Sequence, residues 1–206
     1  RKRKNDRLGL VIFAGESFTQ CPLTTDHKVL VNLFKDVKSG IIDDGTAIGM
    51  GLATAVNRLK DSEAISKVII LLTDGVNNSG MVPPLTAAEI AQKFGIRVYT
   101  VGVGTEGFAP YPFQTPFGIQ YQDVEVKIDE TTLQDIATLT DGKYFRATNN
   151  SSLREIYKDI DSLEKSKIEI TEFHKRKEEF FAFALAALVL LLLSFIIKIT
   201  YLKQIS

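Results

Sequence analysis

Cysteine and histidine are nearly missing from this chain. Cys21 stands alone, which excludes an intramolecular disulfide and any all-cysteine metal site. His27 and His174 are too few and too far apart for a histidine-based zinc site. Neither sign of charge is in excess, because 25 basic residues face 25 acidic ones, so no bulk polyelectrolyte partner is implied. The basic clusters at residues 1–4 and 175–177 are short and lack interleaved aromatics, which argues against nucleic acid as a partner. There is no internal repeat, low-complexity tract, signal peptide or initiating methionine, and the start at Arg1 reads as a cut from something longer. A length of 206 residues allows one domain, or one domain plus an appendage.

What is present is organised around residues 67–80, KVIILLTDGVNNSG. Its apolar run at 68–72 does not alternate with polar residues, which suits a strand covered on both faces in a parallel sheet. The run stops at turn formers, so Asp74 stands at the carboxyl end of a buried strand, where open α/β sheets place their ligand sites. Turn capping by Asp74 is the plain alternative. Similar buried strands are expected at 8–14 and 96–103, a short strand at 142–147 and an edge strand at 18–23. Helices are expected at 27–38, with Val29, Leu30, Leu33, Phe34 and Val37 on one face, and at 47–60. Thr86 and Glu89 have capping-box spacing for a helix to residue 94. A further helix is expected at 129–138, and Ser152 and Glu155 open the last by the same spacing. The alternation of strand and helix predicts an α/β fold, a doubly wound and mostly parallel sheet flanked by helices.

Two segments fall outside that pattern. Residues 105–127 place Pro110, Pro112 and Pro116 among aromatics and read as an inserted, irregular hairpin. Tyr111, Phe113 and Phe117 there are candidates for a partner surface, with a hydrophobic plug as the alternative. Residues 180–197 carry no charge. At ~1.5 Å per residue they would span roughly 27 Å, close to the ~30 Å hydrocarbon core, and are expected to form a transmembrane helix. The predicted organisation is a domain at 1–160, a charged stalk at 161–179, the membrane helix at 180–197 and a tail at 198–206.

Thr46 lies in the loop before the helix at 47–60 and is expected on the same rim as Asp74. A hydroxyl and a carboxylate converging there suit a hard divalent cation, with Mg²⁺ plausible because it keeps waters and needs few protein ligands. Gly102, Gly104 and Gly107 fit a dinucleotide-binding pattern but do not open a helix, so that reading is set aside. Cys21 near His27 lacks an orienting third group and reads as a small apolar residue. A metal-dependent phosphohydrolase using Asp74 is the alternative function, with Asp43 and Asp44 as the only further acids. It lacks a general base and a phosphate-cradling loop. A metal-independent membrane scaffold is the third.

The strand ending LLTDG, preceded by the loop and helix DGTAIGMGLATA, resembles the von Willebrand factor A domain over roughly residues 7–160. The resemblance implies a metal-ion-dependent adhesion site assembled from an Asp-x-Ser-x-Ser loop, a threonine loop and an aspartate loop. Thr46 matches the second and Asp74 the third, whereas the first is not in this sequence and is expected upstream. GLVIFAGESFTQCPLTTD, the YPFQTPFG insertion and the terminal apolar segment are similar to the bacterial Bat, or aerotolerance-related, membrane proteins of BatA or BatB type. This implies a non-enzymatic, metal-dependent protein-binding module whose partners include other Bat-type membrane proteins. It also implies an inner-membrane location with the domain in the periplasm, although Lys175, Arg176 and Lys177 taken alone would place the domain in the cytoplasm.

Overall fold

The computed structural model describes residues 6–38, 40–104, 107–115, 118–126, 128–178 and 180–201. Side chains of 107–114, 119, 122–126, 166–178, 180–182 and 195–201 lie outside that description. The chain divides into two compact units, residues 1–160 and 161–206.

The first unit is built on a parallel sheet in the order β3 (Lys67–Thr73), β4 (Ile96–Val103), β7 (Tyr144–Ala147). Thr73 pairs with Gly102, and Gly102 with Arg146, so the three carboxyl ends form one rim. The apolar runs exist because both faces are covered. Ile69, Leu71 and Val98 enter a core with α2 (Ile48–Leu59), α3 (Pro84–Lys93) and α4 (Glu130–Leu139). Their neighbours Val68, Ile70, Leu72, Tyr99 and Val101 pack with Leu153, Ile156 and Ile160 of α5 (Asn150–Glu178). Since a strand's side chains alternate between faces, unbroken hydrophobicity is what a doubly covered strand requires.

The strand expected at 8–14 forms as β1 (Leu8–Phe13), but no residue of it is fully buried. It pairs antiparallel with β2 (Ser17–Thr24), with register shifts near Leu10, in a ladder separate from the parallel sheet. The inserted segment is more regular than expected. β5 (Gly107–Thr115) and β6 (Gly118–Val126) pair antiparallel, one residue against one throughout.

Helix boundaries follow local chemistry. α1 (His27–Lys35) is capped by Asp26, whose carboxylate accepts from the backbone N–H of Lys28 and Val29. It is shorter than expected and buries no residue completely: Leu30 and Leu33 are half-covered, while Val29 and Phe34 are exposed. α3 starts two residues ahead of the expected Thr86 cap. Pro83 is its N-cap and Pro84 occupies its first position, where a missing N–H costs nothing. At the start of α5 the cap is Asn149, whose Oδ1 accepts from the Ser152 N–H, while Ser152 Oγ accepts from the Asn149 N–H. That exchange is a capping box set three residues before the expected one.

The expected transmembrane helix, and with it the inner-membrane and periplasmic location, is corrected here. α6 (Phe180–Tyr201) is helical, but among the described residues no helix is long and apolar enough to cross a membrane.

Candidate functional site

Three loops meet beside the carboxyl end of β3: residues 14–16 after β1, 43–47 before α2, and 74–80 after β3. The first two are joined through backbone, with Gly15 N–H donating to Asp43 O at 2.8 Å and Ala47 N–H to Ala14 O at 2.6 Å. The second and third are tied by Asn78. Its Oδ1 accepts from Thr46 N–H at 2.8 Å and from Ser79 Oγ at 3.0 Å, while Asn78 N–H donates to Thr46 O at 3.1 Å. Thr46 is thus clamped on both its backbone polar groups.

Helix α2 begins at this junction without a side-chain cap of its own, since its N-cap is Ala47. Asn77 substitutes from the neighbouring loop, its Oδ1 accepting from Gly49 N–H in a long bond of 3.5 Å. The loop passes so close that a β-carbon on Gly49 would stand 1.9 Å from Val82 O. Only glycine lets the first turn of α2 lie against that backbone.

These contacts bring the two expected site residues onto adjoining segments. Thr46 Oγ1 stands 2.9 Å from where a β-carbon on Gly75 would be, against the residue that follows Asp74. Thr73 Oγ1 accepts from Gly75 N–H at 3.2 Å and shapes the turn. Asp74 itself is exposed and Thr46 half-buried. The donor set is therefore a neutral hydroxyl and an anionic carboxylate, both hard oxygens, which fits part of the shell of a hard divalent cation. Among the described residues no group of three or more His, Cys, Asp or Glu side chains stands together. Asp43 and Asp44 are exposed, and what they contribute here is backbone: Asp43 O holds Gly15.

Further along the rim, Arg146 pairs with Glu130 at the first turn of α4 and donates through Nε to Gly104 O at 3.2 Å. Tyr144 lies alongside. Burial pushes its phenol above the ordinary range, against the opposing pull of Arg146. Asn77, Asn78 and Ser79 were legible in the sequence only as turn formers. Their role in tying Thr46 and α2 to the β3 loop depends on contacts about 30 residues apart in the chain, for which local propensity carries no signal. The side chains of Tyr111 and Phe113, and all of Phe117, lie outside the described residues.

Comparison with known proteins agrees with this architecture. The von Willebrand factor type A domain matches residues 2–159. An uncharacterized protein of Borreliella burgdorferi is 29% identical over 205 residues, covering 99% of this chain and 60% of that protein. The chain thus spans less than two thirds of this curated relative's length. Among solved structures, BatB from Bacteroides thetaiotaomicron is 31% identical with a TM-score of 0.65, covering 78% of this chain and 80% of that one. An aerotolerance-related membrane protein from Bacteroides fragilis is 30% identical with a TM-score of 0.63, covering 77% and 80%. Proximal thread matrix protein 1 from the mussel byssus, with a zinc-occupied MIDAS motif, is 26% identical with a TM-score of 0.56, covering 77% and 36%. A parallel sheet flanked by helices, a threonine loop set against an aspartate loop at its carboxyl rim, and a domain match over most of the chain lead to one conclusion: this chain belongs to the von Willebrand factor type A domain family.

Proposed function

We propose that residues 1–160 form a divalent-metal-dependent protein-binding module of a Bat-type, aerotolerance-related complex, with Thr46 and Asp74 contributing to the metal site. The observation that supports this reading is the nearness of the Thr46 hydroxyl to Gly75, the residue after Asp74: Oγ1 stands 2.9 Å from where a β-carbon on Gly75 would be. Thr46 would present its hydroxyl from a backbone held by Asn78, and Asp74 would supply negative charge at the exposed end of β3. The zinc-occupied MIDAS motif of the mussel protein supports a divalent ion in this fold. Mg²⁺ is the ion proposed here, since the donors are oxygens only. A bound divalent ion would offer an oxygen-seeking positive centre to an acidic side chain of a partner protein, with other Bat-type proteins as the proposed partners. No chemical transformation is required of the chain, so the module binds rather than catalyses. Tyr111, Phe113 and Phe117 are proposed on sequence grounds as part of the partner surface.

The test is metal alone, added to the protein extended upstream to include the expected Asp-x-Ser-x-Ser loop, with the melting temperature and the heat of binding as readouts. Mg²⁺ or Mn²⁺ at about 100 times its Kd should stabilise the fold by about 2.7 kcal/mol. Asp74→Ala should abolish that response while leaving the metal-free melting temperature nearly unchanged. An equal response in the Asp74→Ala protein, or none in the parent chain, overturns the reading.

A further inference from the structure

The β5–β6 hairpin forms a ladder of its own, hydrogen-bonded to no other described strand. Its register runs unbroken from Gly107↔Val126 to Thr115↔Gly118, straight across Pro110 and Pro112. A proline has no N–H to give to a ladder. In an antiparallel pair, alternate residues exchange both of their backbone bonds with the residue opposite. The unbroken ladder therefore bonds Ala109, Tyr111 and Phe113 to Val124, Gln122 and Gln120, and turns the nitrogens of Pro110 and Pro112 to the outer edge of β5. That edge is sealed. On β6 the outward-facing backbone groups belong to Ile119, Tyr121, Asp123 and Glu125, and no proline interrupts them. A two-stranded hairpin is marginal in water, and an open edge is a template for strand addition.

We propose that β6 pairs antiparallel with β6 of a second copy of this chain, about a two-fold axis at Gln122. The result is a four-stranded sheet with a β5 strand on each outside. In this register Tyr121 stands opposite Asp123 of the partner subunit, and Ile119 opposite Glu125 of the partner subunit. Every outward residue of β6 is then bonded, and no two acidic residues face each other. Moving the axis to Asp123 would set that carboxylate against its own copy, which is destabilising. Moving it to Tyr121 would leave Glu125 opposite position 117, beyond the strand. An antiparallel edge is self-complementary under a two-fold axis, and the prolines on both outer edges stop further strand addition, so assembly closes at the dimer instead of growing. This pairing is independent of the metal site.

The test uses the 206-residue chain. Across the axis, the two copies of Gln122 form a non-hydrogen-bonded pair with Cα atoms about 4.5 Å apart, within the ~4.4–6.8 Å reach of a disulfide. Cys21, the native thiol, is buried. Under mild oxidation Gln122→Cys should yield a covalent dimer of twice the 22.9 kDa chain mass. Its yield should exceed that of Gln120→Cys or Val124→Cys by about tenfold, because those positions face themselves at distances beyond disulfide reach. Tyr121→Pro removes an outward N–H at a position of the kind where β5 already accommodates proline. It should convert the dimer seen by sedimentation to a monomer without changing far-UV circular dichroism. Equal cross-linking at 120, 122 and 124, or a parent chain that sediments as a monomer at every concentration, overturns the proposal. A dimer that survives Tyr121→Pro also overturns it, and if that variant does not fold, the cysteine yields decide alone.

Discussion

In the β3–β4–β7 sheet, side chains alternate between two apolar cores, and position is set by what each residue buries. At the carboxyl rim the loops bury little. Position there is set by backbone bonds and by the amide oxygens of Asn77 and Asn78. Hydrophobic burial scales with area and is tolerant of direction, whereas hydrogen bonds are individually modest but directional. The sheet therefore supplies stability and the rim supplies geometry, and substitutions should separate the two.

The largest effect is expected in the body. Leu133 is fully buried among α2, α3, α4 and the sheet, and Leu133→Ala should cost about 2–5 kcal/mol in denaturant unfolding. An intermediate effect is expected where the core relies on a polar group. The buried Thr140 hydroxyl accepts from Val98 N–H at 3.1 Å and donates to Ile136 O at 2.8 Å, pinning the end of α4 to the start of β4. Thr140→Val leaves that N–H buried and unpaired, and should cost about 1–3 kcal/mol in the same measurement. The smallest change in stability is expected at the rim, together with the sharpest loss of function. Asn78→Ala should cost about 1 kcal/mol or less, yet lower Mn²⁺ affinity by about 10–100-fold in calorimetry, because it frees the backbone that aims Thr46. If Asn78→Ala instead lowers the melting temperature as far as Leu133→Ala, the division between body and rim fails.

Legibility in the sequence followed the same division. The runs VIILL at 68–72 and IRVYTVGV at 96–103 announced strands covered on both faces, and they form the parallel pair β3 and β4, with β4 in the middle of the sheet. The run at 8–14 is equally continuous, but only that continuity is legible in the sequence. It ended in a half-exposed antiparallel pair because β2 follows within a short turn and supplies its hydrogen-bond partner locally. Thr86 with Glu89 and Ser152 with Glu155 carried capping spacing, but Pro83–Pro84 and Asn149 took the caps. A proline pair pre-sets the first turn of α3, and an asparagine three residues before Ser152 completes the reciprocal exchange for α5. The apolar content of 180–197 was equally plain, but among the described residues no helix is long and apolar enough to cross a membrane.

The sequence by itself determined that a parallel sheet would form, that Asp74 would stand at the end of a strand, and that Thr46 would lie in the loop before the helix preceding that strand. Those outcomes rest on local periodicity and turn chemistry, which a few neighbouring residues encode. Tertiary structure decided that Thr46 lies against Gly75, that Asn77 and Asn78 serve a helix and a loop from a different segment, and that the backbone of β5 turns its prolines outward. Each of these depends on contacts between distant segments, which take shape only once the two cores and the β5–β6 ladder have fixed where the backbone runs.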